Sequence, residues 1–263
     1  MSRPIPSRDY VDHFDPELDH HRAWLLAVLE RLVVHEPQYL EEGGPLWRLW
    51  STVPAEAAGA EAEAPTGASD QLYPNPLRGV PHFQQRDSAQ LSQRDRTCFS
   101  SSCAMLLESL KPGTLPGANG DDQYLAVVQC CRDTTYTSAQ LQALAHYGVT
   151  ARLVQTADFE LIEEQIVRGI PVPCGYIHRG PIDRPTGTGH WLIVYGHTPT
   201  HLVVNDPWRE PDLLSGATPN ANGMGLRFSQ RNFGRRWMVE PIGGGAYRYA
   251  PDKEWAVVVD GVG

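Results

Sequence analysis

The sequence has no pair of cysteines at the CxxC spacing, although it contains 5 cysteines in 263 residues. Structural zinc sites usually draw thiolates from such pairs, so none is predicted. An odd number of cysteines without a framework spacing also speaks against a disulfide scaffold. The chain has no HExxH segment or comparable histidine cluster, which excludes the usual zinc-hydrolase pattern. We therefore expect neither a metal nor an organic cofactor.

Three further features are missing. The first residues carry no apolar run of the kind found in a signal peptide, and no segment approaches the ~20 apolar residues of a membrane-spanning helix. No basic stretch is interleaved with aromatic residues, and the formal net charge is -9. A nucleic-acid-binding surface is normally basic. We expect a protein made in the cytoplasm without a signal peptide, with no membrane span and no nucleic-acid partner.

What is present divides the chain into three regions. Residues 18–34 place apolar side chains at helical spacing, so residues 1–52 are predicted to form a small helical accessory region. Residues 53–79 include a stretch rich in Ala, Glu, Pro and Gly, which is typical of a linker. Residues 80–263 form the main domain. The N-terminal helix either packs on that domain or offers a surface to an assembly partner.

The main domain is predicted to have an α+β fold, because helical patterns come first and strand patterns follow. Periodicity predicts helices at 98–110, 121–131, 138–148 and 157–169. Runs of β-branched and aromatic residues predict strands at 171–177, 190–197, 201–207, 237–240 and 254–259.

Cys98 is the candidate nucleophile. It stands at the predicted start of the first helix, after Thr97, a residue suited to an N-cap. Unpaired backbone N–H groups and the positive end of the helix dipole favour a thiolate there. Cys103 lies inside the same helix and is interpreted as a core residue.

His190 and Asp206 are the candidate base and its orienting carboxylate. His190 is predicted to open a strand after a Gly-rich loop, and Asp206 ends the next strand along the chain. A short turn at residues 198–200 makes these strands a hairpin, so the two side chains lie at corresponding ends and can meet. A thiol, a histidine and a carboxylate form the set needed for nucleophilic catalysis.

These motifs resemble the bacteriocin-processing (double-glycine leader) cysteine peptidases of the papain-like superfamily. The helix CFSSSCAML matches the family's nucleophile helix in register, with Phe99 in place of Gly and Cys103 in place of Leu. The later GHW and NDPW motifs follow in the family's order. The resemblance extends from Val80 to Glu240 and is closest to a subgroup seen in phages and cyanobacteria. It implies a papain-like fold, with a helical half that carries the nucleophile packed on an antiparallel sheet.

The resemblance also implies a glutamine that donates to the oxyanion. The segment VPHFQQRDS resembles the family's VPYxSQ motif, which points to Gln85. Gln93, five residues before Cys98, is nearer the spacing of the processing peptidases. Either glutamine, with the backbone N–H of Cys98, could form the oxyanion hole, and the motif ranks Gln85 ahead of Gln93.

The predicted function is hydrolysis of a peptide or amide bond through a thioester on Cys98. The substrate is a peptide, a protein or peptidoglycan. A phage-type role, as a cell-wall hydrolase or a hydrolase carried by or released with the virion, is one hypothesis. The alternative is a catalytically silent binding or structural module on the same fold, because a fold alone does not give a function.

Overall fold

The computed structural model describes residues 75–251 and 253–263. All of them belong to a compact unit, Gln71–Gly263. The predicted helical region 1–52 and most of the predicted linker lie outside the described residues. Within the described part of the chain, no helix is both long and apolar enough to span a bilayer.

Five α-helices are present among the described residues. Three precede the first strand, one lies between the first two strands, and the last interrupts the strand-rich half. They are α1 (Cys98–Leu110), α2 (Gly120–Cys131), α3 (Thr137–His146), α4 (Phe159–Val167) and α5 (Gln230–Trp237). Two short 3-10 helices, Gln85–Asp87 and Leu91–Gln93, precede α1.

Eight strands of the described residues form one antiparallel sheet in the order β1-β8-β2-β3-β4-β5, with the β6–β7 hairpin joined to the start of β3 through β7. The strands are β1 (Val149–Val154), β2 (Val172–Arg179), β3 (Thr186–His197), β4 (His201–Asn205), β5 (Leu226–Ser229), β6 (Val239–Gly243), β7 (Ala246–Tyr249) and β8 (Trp255–Val262).

Helices cover the sheet on both faces. On strand β3, Trp191 and Ile193 join the hydrophobic cluster of α1 to α3, whereas Leu192 and Val194 join the cluster of α4 and α5. Successive side chains of a strand point to opposite faces. The continuous apolar run of β3 is therefore explained by burial on both sides, which a strand with one solvated face would not need.

Two of the predicted strands start more than one residue away from the observed start. Strand β3 begins at Thr186 and not at His190, so part of the predicted loop is strand. The predicted strand 237–240 begins too early, because Trp237 ends helix α5 and β6 starts at Val239. Helix α5 has no apolar period in the sequence that predicts a helix, because most of its residues are polar. Its apolar anchor is Phe233 and Trp237, one helical turn apart and both buried.

Helix α5 also carries a fully buried arginine, Arg236. Its guanidinium donates to the backbone carbonyls of Leu213 at 2.6 Å, Ile177 at 3.0 Å, Arg179 at 3.1 Å and Gly180 at 2.6 Å. A buried charge is tolerated when its donors are all used in this way. Arg236 thus fixes the end of β2 against the loop that follows β4.

We predict that Arg236→Met destabilises the domain by about 3 kcal/mol, because it leaves several carbonyl acceptors without donors in a buried place. Urea denaturation measures the change. Arg235→Met is the matched control, since Arg235 is exposed on the same helix and its loss should change the free energy of unfolding little. Similar values for the two variants would contradict the role given to Arg236.

Candidate active site

Cys98 is the first residue of α1 and is partly exposed. Its backbone N–H has no partner within the helix, as for every first-turn residue. Thr97 occupies the N-cap position, but its side chain makes no capping hydrogen bond. Cys103 and Cys174 are fully buried, and burial raises the pKa of both thiols, so they remain protonated and inert. Cys130 and Cys131 are exposed at the end of α2.

Hydrogen bonds from two serines hold the nucleophile helix in place. The Ser100 hydroxyl lies 2.7 Å from that of Thr134 and accepts a bond of 2.8 Å from the Gln140 amide. Ser101 donates to the Asp121 carboxylate at 2.5 Å. These partners belong to α2, α3 and the connection between them. The first turn of α1 is therefore tied to both neighbouring helices by side chains next to Cys98.

An aromatic stack fixes α1 to the sheet. The rings of Phe99 and Trp191 are parallel, with centroids 3.7 Å apart and an interplanar angle of 2°. These residues follow Cys98 and His190 directly in the sequence. The stack therefore links the start of α1 to the middle of β3, beside both candidate catalytic residues. Gly175 leaves space for the indole, since a Cβ there would lie 2.9 Å from it.

Asp121 is a buried carboxyl in the first turn of α2. Burial raises its pKa to about 7, although the hydrogen bond from Ser101 lowers it in part. The nearby charges of Asp87 and Asp122 raise it further. One carboxylate oxygen, Oδ1, has no hydrogen-bond partner among the described residues. The group that holds Ser101 is thus an acid that favours its protonated form.

His190 and Asp206 are in direct contact. His190 Nε2 lies 2.8 Å from Asp206 Oδ1, and both side chains are buried. Ile193 pairs with Asn205 across the hairpin, so Asp206 stands opposite Leu192 and diagonal to His190. The contact occurs because both side chains leave the same face of the sheet.

The Asp206 carboxylate is saturated with donors. Oδ1 also accepts from the backbone N–H of Trp208 at 2.8 Å and of Arg209 at 3.3 Å, and Oδ2 accepts from the Tyr176 hydroxyl at 2.9 Å. A glycine is needed at position 223, because a Cβ there would lie 2.1 Å from the Asp206 carbonyl oxygen. A carboxylate with these partners is held in one orientation.

The ring of His190 interacts with both Asp206 and Cys98. Burial by itself lowers the pKa of His190, but the charges of Asp206 and Cys98, with a hydrogen bond to each, raise the pKa well above its usual value. Since Nε2 binds Asp206, the other ring nitrogen is left for the thiol. The raised pKa favours an imidazolium at His190, and a positively charged ring beside a thiol is the arrangement that activates a cysteine nucleophile.

Two further aromatic side chains surround His190. The ring centroids of His178 and His190 are 5.1 Å apart, and that of Trp208 lies 6.3 Å from His190. Burial, and then the positive charges of His190 and Arg179, lower the pKa of His178 to about 4. His178 is therefore a neutral imidazole at physiological pH. It lies on strand β2, one residue beyond the end of the predicted strand 171–177.

The two candidate glutamines occupy different environments. Gln85 is fully buried, and its Nε2 donates to the Arg94 carbonyl at 2.8 Å. Gln93 is partly exposed at the end of the second 3-10 helix. The side-chain oxygen of each is buried and has no hydrogen-bond partner among the described residues.

The segment that carries Gln85 is bound to the one that carries Asp206. Asn205 Nδ2 donates to the Pro81 carbonyl, His82 Nε2 to the Asp206 carbonyl and the Gln85 backbone N–H to the Pro207 carbonyl, each at 2.9 Å. Asn205 and its neighbours thus join the beginning of the domain to the end of β4. No cluster of three metal-ligating side chains occurs in the described residues.

The structure brings together three of the five residues selected from the sequence, Cys98, His190 and Asp206. The contributions of Tyr176, Ser101 and Asp121 were missed. Tyr176 pairs with His190 between β2 and β3, and a strand pairing of that kind leaves no local signal in the sequence. The Tyr176 hydroxyl reaches Asp206 because β2, β3 and β4 are adjacent in the sheet and Asp206 follows the last residue of β4.

The model of the Peptidase_C39 like family matches residues 77–214. The chain therefore belongs to this family, and the predicted relationship to the bacteriocin-processing peptidases is confirmed. Together with the helices packed on an antiparallel sheet, membership confirms the α+β, papain-like peptidase fold. Membership in this family also supports the assignment of the protein to the broad class of cysteine peptidases.

Solved structures similar to this chain include two peptidase domains of transporters. The peptidase domain of Streptococcus ComA, a bi-functional ABC transporter of a quorum-sensing pathway, is 17% identical, with a TM-score of 0.40 over 63% of this chain and 91% of that one. A double-glycine-motif protease from an AMS/PCAT transporter, solved with the leader peptide, is 15% identical, with a TM-score of 0.38 over 68% and 90%.

A C39-like peptidase from Bacillus anthracis is 14% identical, with a TM-score of 0.43 over 67% of this chain and 96% of that one. No curated protein sequence matches the chain significantly.

We predict that Asp121→Asn stabilises the domain, and more so at pH 8 than at pH 5. The pKa of Asp121 is raised from 3.8 to about 7 on folding, so the folded state binds the proton more tightly. The free energy of unfolding therefore decreases as the pH rises from 3.8 to about 7, because the folded state must give up this proton. An asparagine amide does not titrate, so Asp121→Asn does not show this decrease. The expected gain at pH 8 is about 2 kcal/mol, measured by urea denaturation. A gain that does not grow with pH would contradict the assignment.

We also predict that Cys98→Ala lowers the pKa of the His190 ring, because the substitution removes one of the two negative partners that favour the imidazolium. A pH titration of the ring proton signals by NMR measures the change. Cys130→Ala is the control, since Cys130 is exposed at the end of α2 and its loss should leave the titration unchanged. An unchanged His190 titration in Cys98→Ala would show that the thiol and the ring do not interact.

Proposed function

We propose that this protein is a cysteine peptidase or amidase in which Cys98 is the nucleophile, His190 the general base and acid, and Asp206 the group that orients His190. The observation that supports the proposal is the interaction of one buried ring, His190, with both the partly exposed thiol at a helix start and a fully bonded carboxylate.

In the proposed reaction the Cys98 thiolate attacks the carbonyl carbon of the scissile bond. The tetrahedral intermediate collapses, the C–N bond breaks, and the His190 imidazolium gives its proton to the leaving amine. The acyl group remains on sulfur as a thioester. His190 then takes a proton from water, whose oxygen attacks the thioester, and collapse releases a carboxylic acid and the thiol. Asp206 stabilises the imidazolium and fixes the ring.

The oxyanion of the tetrahedral intermediate needs donors. The backbone N–H of Cys98 is one, and a glutamine side chain is the second. Gln93 is the better candidate of the two, because Gln85 is fully buried and its amide nitrogen already donates to the Arg94 carbonyl. Gln85 then has a structural role in the turn before Cys98. Loss of Gln93 should lower kcat, whereas loss of Gln85 should lower stability.

The substrate is proposed to be a peptide or protein, and a peptide cross-bridge of a bacterial cell wall is the specific hypothesis. The resemblance to a phage-type subgroup supports that hypothesis, and with it a role of the enzyme in or released with a virion. The N-terminal region would then serve as a site for an assembly partner. Release of soluble peptides from purified cell walls, compared with hydrolysis of casein, tests the choice of substrate.

We predict that Cys98→Ala lowers hydrolysis by at least about a thousandfold, because the nucleophile is lost and only binding and the oxyanion donors remain. His190→Ala should have a similar effect. Cys130→Ala is the matched control, since that cysteine is exposed on another helix. Peptide release from cell walls and from casein gives the rates.

Alkylation by iodoacetamide at pH 6 provides a second readout that needs no substrate. Cys98 should react faster than the exposed Cys130, because it interacts with the His190 ring and Cys130 has no such partner among the described residues. Equal rates at the two cysteines would refute the nucleophile assignment. Equal effects of the wild type and Cys98→Ala on cell walls would instead support a catalytically silent binding module.

A further inference from the structure

Two arginines flank the aromatic side chains around the candidate base. His178, His190 and Trp208, hereafter the aromatic cluster, have ring centroids 5.1 to 6.4 Å apart. Arg179 contacts the cluster through His178, and Arg86 contacts it through Trp208. They lie on separate parts of the chain, the end of β2 and the first 3-10 helix.

Arg179 is held by its Nε and leaves the rest of its guanidinium free. Nε donates to His178 Nε2 at 3.1 Å. The aliphatic stem packs beside Gly187, which has a φ of 95° and whose Cβ position lies 3.3 Å from the Arg179 Cδ atom. No carboxylate pairs with Arg179 anywhere in the described residues. The side chain is exposed, so its two terminal nitrogens are available to a ligand.

His178 suits this position because it stays neutral. A neutral imidazole whose Nε2 accepts from Arg179 carries its proton on Nδ1. Protonation would place a third positive charge between Arg179 and His190. His178 therefore orients the guanidinium without cancelling its charge.

Arg86 lies over Trp208, another member of the aromatic cluster. Its guanidinium carbon is 5.2 Å from the centroid of the Trp208 ring. It also lies 3.5 Å from Asp95, whose side chain is 70% exposed. An ion pair this exposed contributes little to stability. A ligand carboxylate could therefore replace Asp95 at little cost.

The positive charge at the cluster contrasts with the chain as a whole, whose formal net charge is -9. Within the described residues, Asp206 is the carboxylate that contacts the cluster, and it is buried and hydrogen-bonded through both oxygens, so it does not neutralise the arginines. A guanidinium with free terminal nitrogens binds carboxylates with two parallel hydrogen bonds.

We propose that Arg179, assisted by Arg86, forms a carboxylate-binding subsite beside the candidate catalytic residues. The inference rests on the proposed function and deepens it. The substrate carries an acidic group close to the scissile bond, either an Asp or Glu side chain or a free terminal carboxylate. Arg179 is the main determinant, because it has no competing carboxylate within the protein's described residues.

The first experiment compares two alkylating reagents of the same size. Iodoacetate is an anion and iodoacetamide is neutral, and both react at Cys98. Arg179→Gln should lower the ratio of the iodoacetate rate to the iodoacetamide rate by roughly fivefold, because an attraction for the anion is lost. Arg86→Gln should lower the ratio less. Arg152→Gln is the control, since Arg152 pairs with Asp260 on the β1–β8 side of the sheet. An unchanged ratio in Arg179→Gln would overturn the subsite.

The second experiment needs no reaction at Cys98. NMR signals of the His178 ring are followed in Cys98→Ala during titration with three small ligands. They are N-acetylglutamic acid α-amide, with a side-chain carboxylate, N-acetylalanine, with a terminal carboxylate, and neutral N-acetylalaninamide. We expect at least one anion to shift the signals, the neutral ligand to leave them unchanged, and the added Arg179→Gln substitution to abolish the shift.

The two anions distinguish the two sources of the carboxylate. Shifts of equal size with all three ligands, or no shift with any, would overturn the proposal. The proposed function fails separately: if Cys98 reacts with neither reagent faster than Cys130, the nucleophile assignment is wrong, while the titration still decides whether the carboxylate subsite exists.

Discussion

The buried carboxylate of Asp206 is the constraint on which the site depends. An ionised carboxylate removed from water must be compensated by donors or it will protonate. Here the donors come from three places: the His190 ring on β3, the Tyr176 hydroxyl on β2, and the backbone N–H groups of Trp208 and Arg209 after β4. The hydrogen bonds to this one carboxylate therefore hold the ends of β2, β3 and β4 together. The same bonds set the position of the ring that faces Cys98.

In helix α1, the polar side chains that hold the reactive group in position lower the stability of the domain. Its first turn contains consecutive serines, which are weaker helix formers than alanine or leucine. Ser100 and Ser101 instead hydrogen-bond the two neighbouring helices, and the acceptor of Ser101, Asp121, is a carboxyl whose pKa burial raises to about 7. A wholly apolar interface would be more stable, but it would place Cys98 less accurately. Supporting polar contacts of this kind are typical of sites that require accurate geometry.

Arginines serve two opposite purposes in this domain. Arg236 is fully buried, and backbone carbonyls take up its donors, so it joins elements and presents no charge to a ligand. The Arg179 side chain is exposed, and among the described residues its guanidinium donates through Nε to a neutral histidine. Arg236 itself donates to the Arg179 carbonyl at 3.1 Å. The buried arginine thus fixes the backbone from which the exposed one extends toward the cluster.

The sequence by itself determined the elements and the candidate triad. Helical periodicity placed Cys98 at a helix start, and two strand patterns joined by a short turn placed His190 near Asp206, because periodicity and turn residues report local structure. It did not predict helix α5, whose apolar anchor is Phe233 and Trp237, nor the strands β1, β5 and β7. Only the tertiary structure decided that Tyr176 binds Asp206, that Asp121 binds Ser101 and that Gln85 is buried. Those facts depend on strand register and helix packing between distant segments, and no local pattern encodes them.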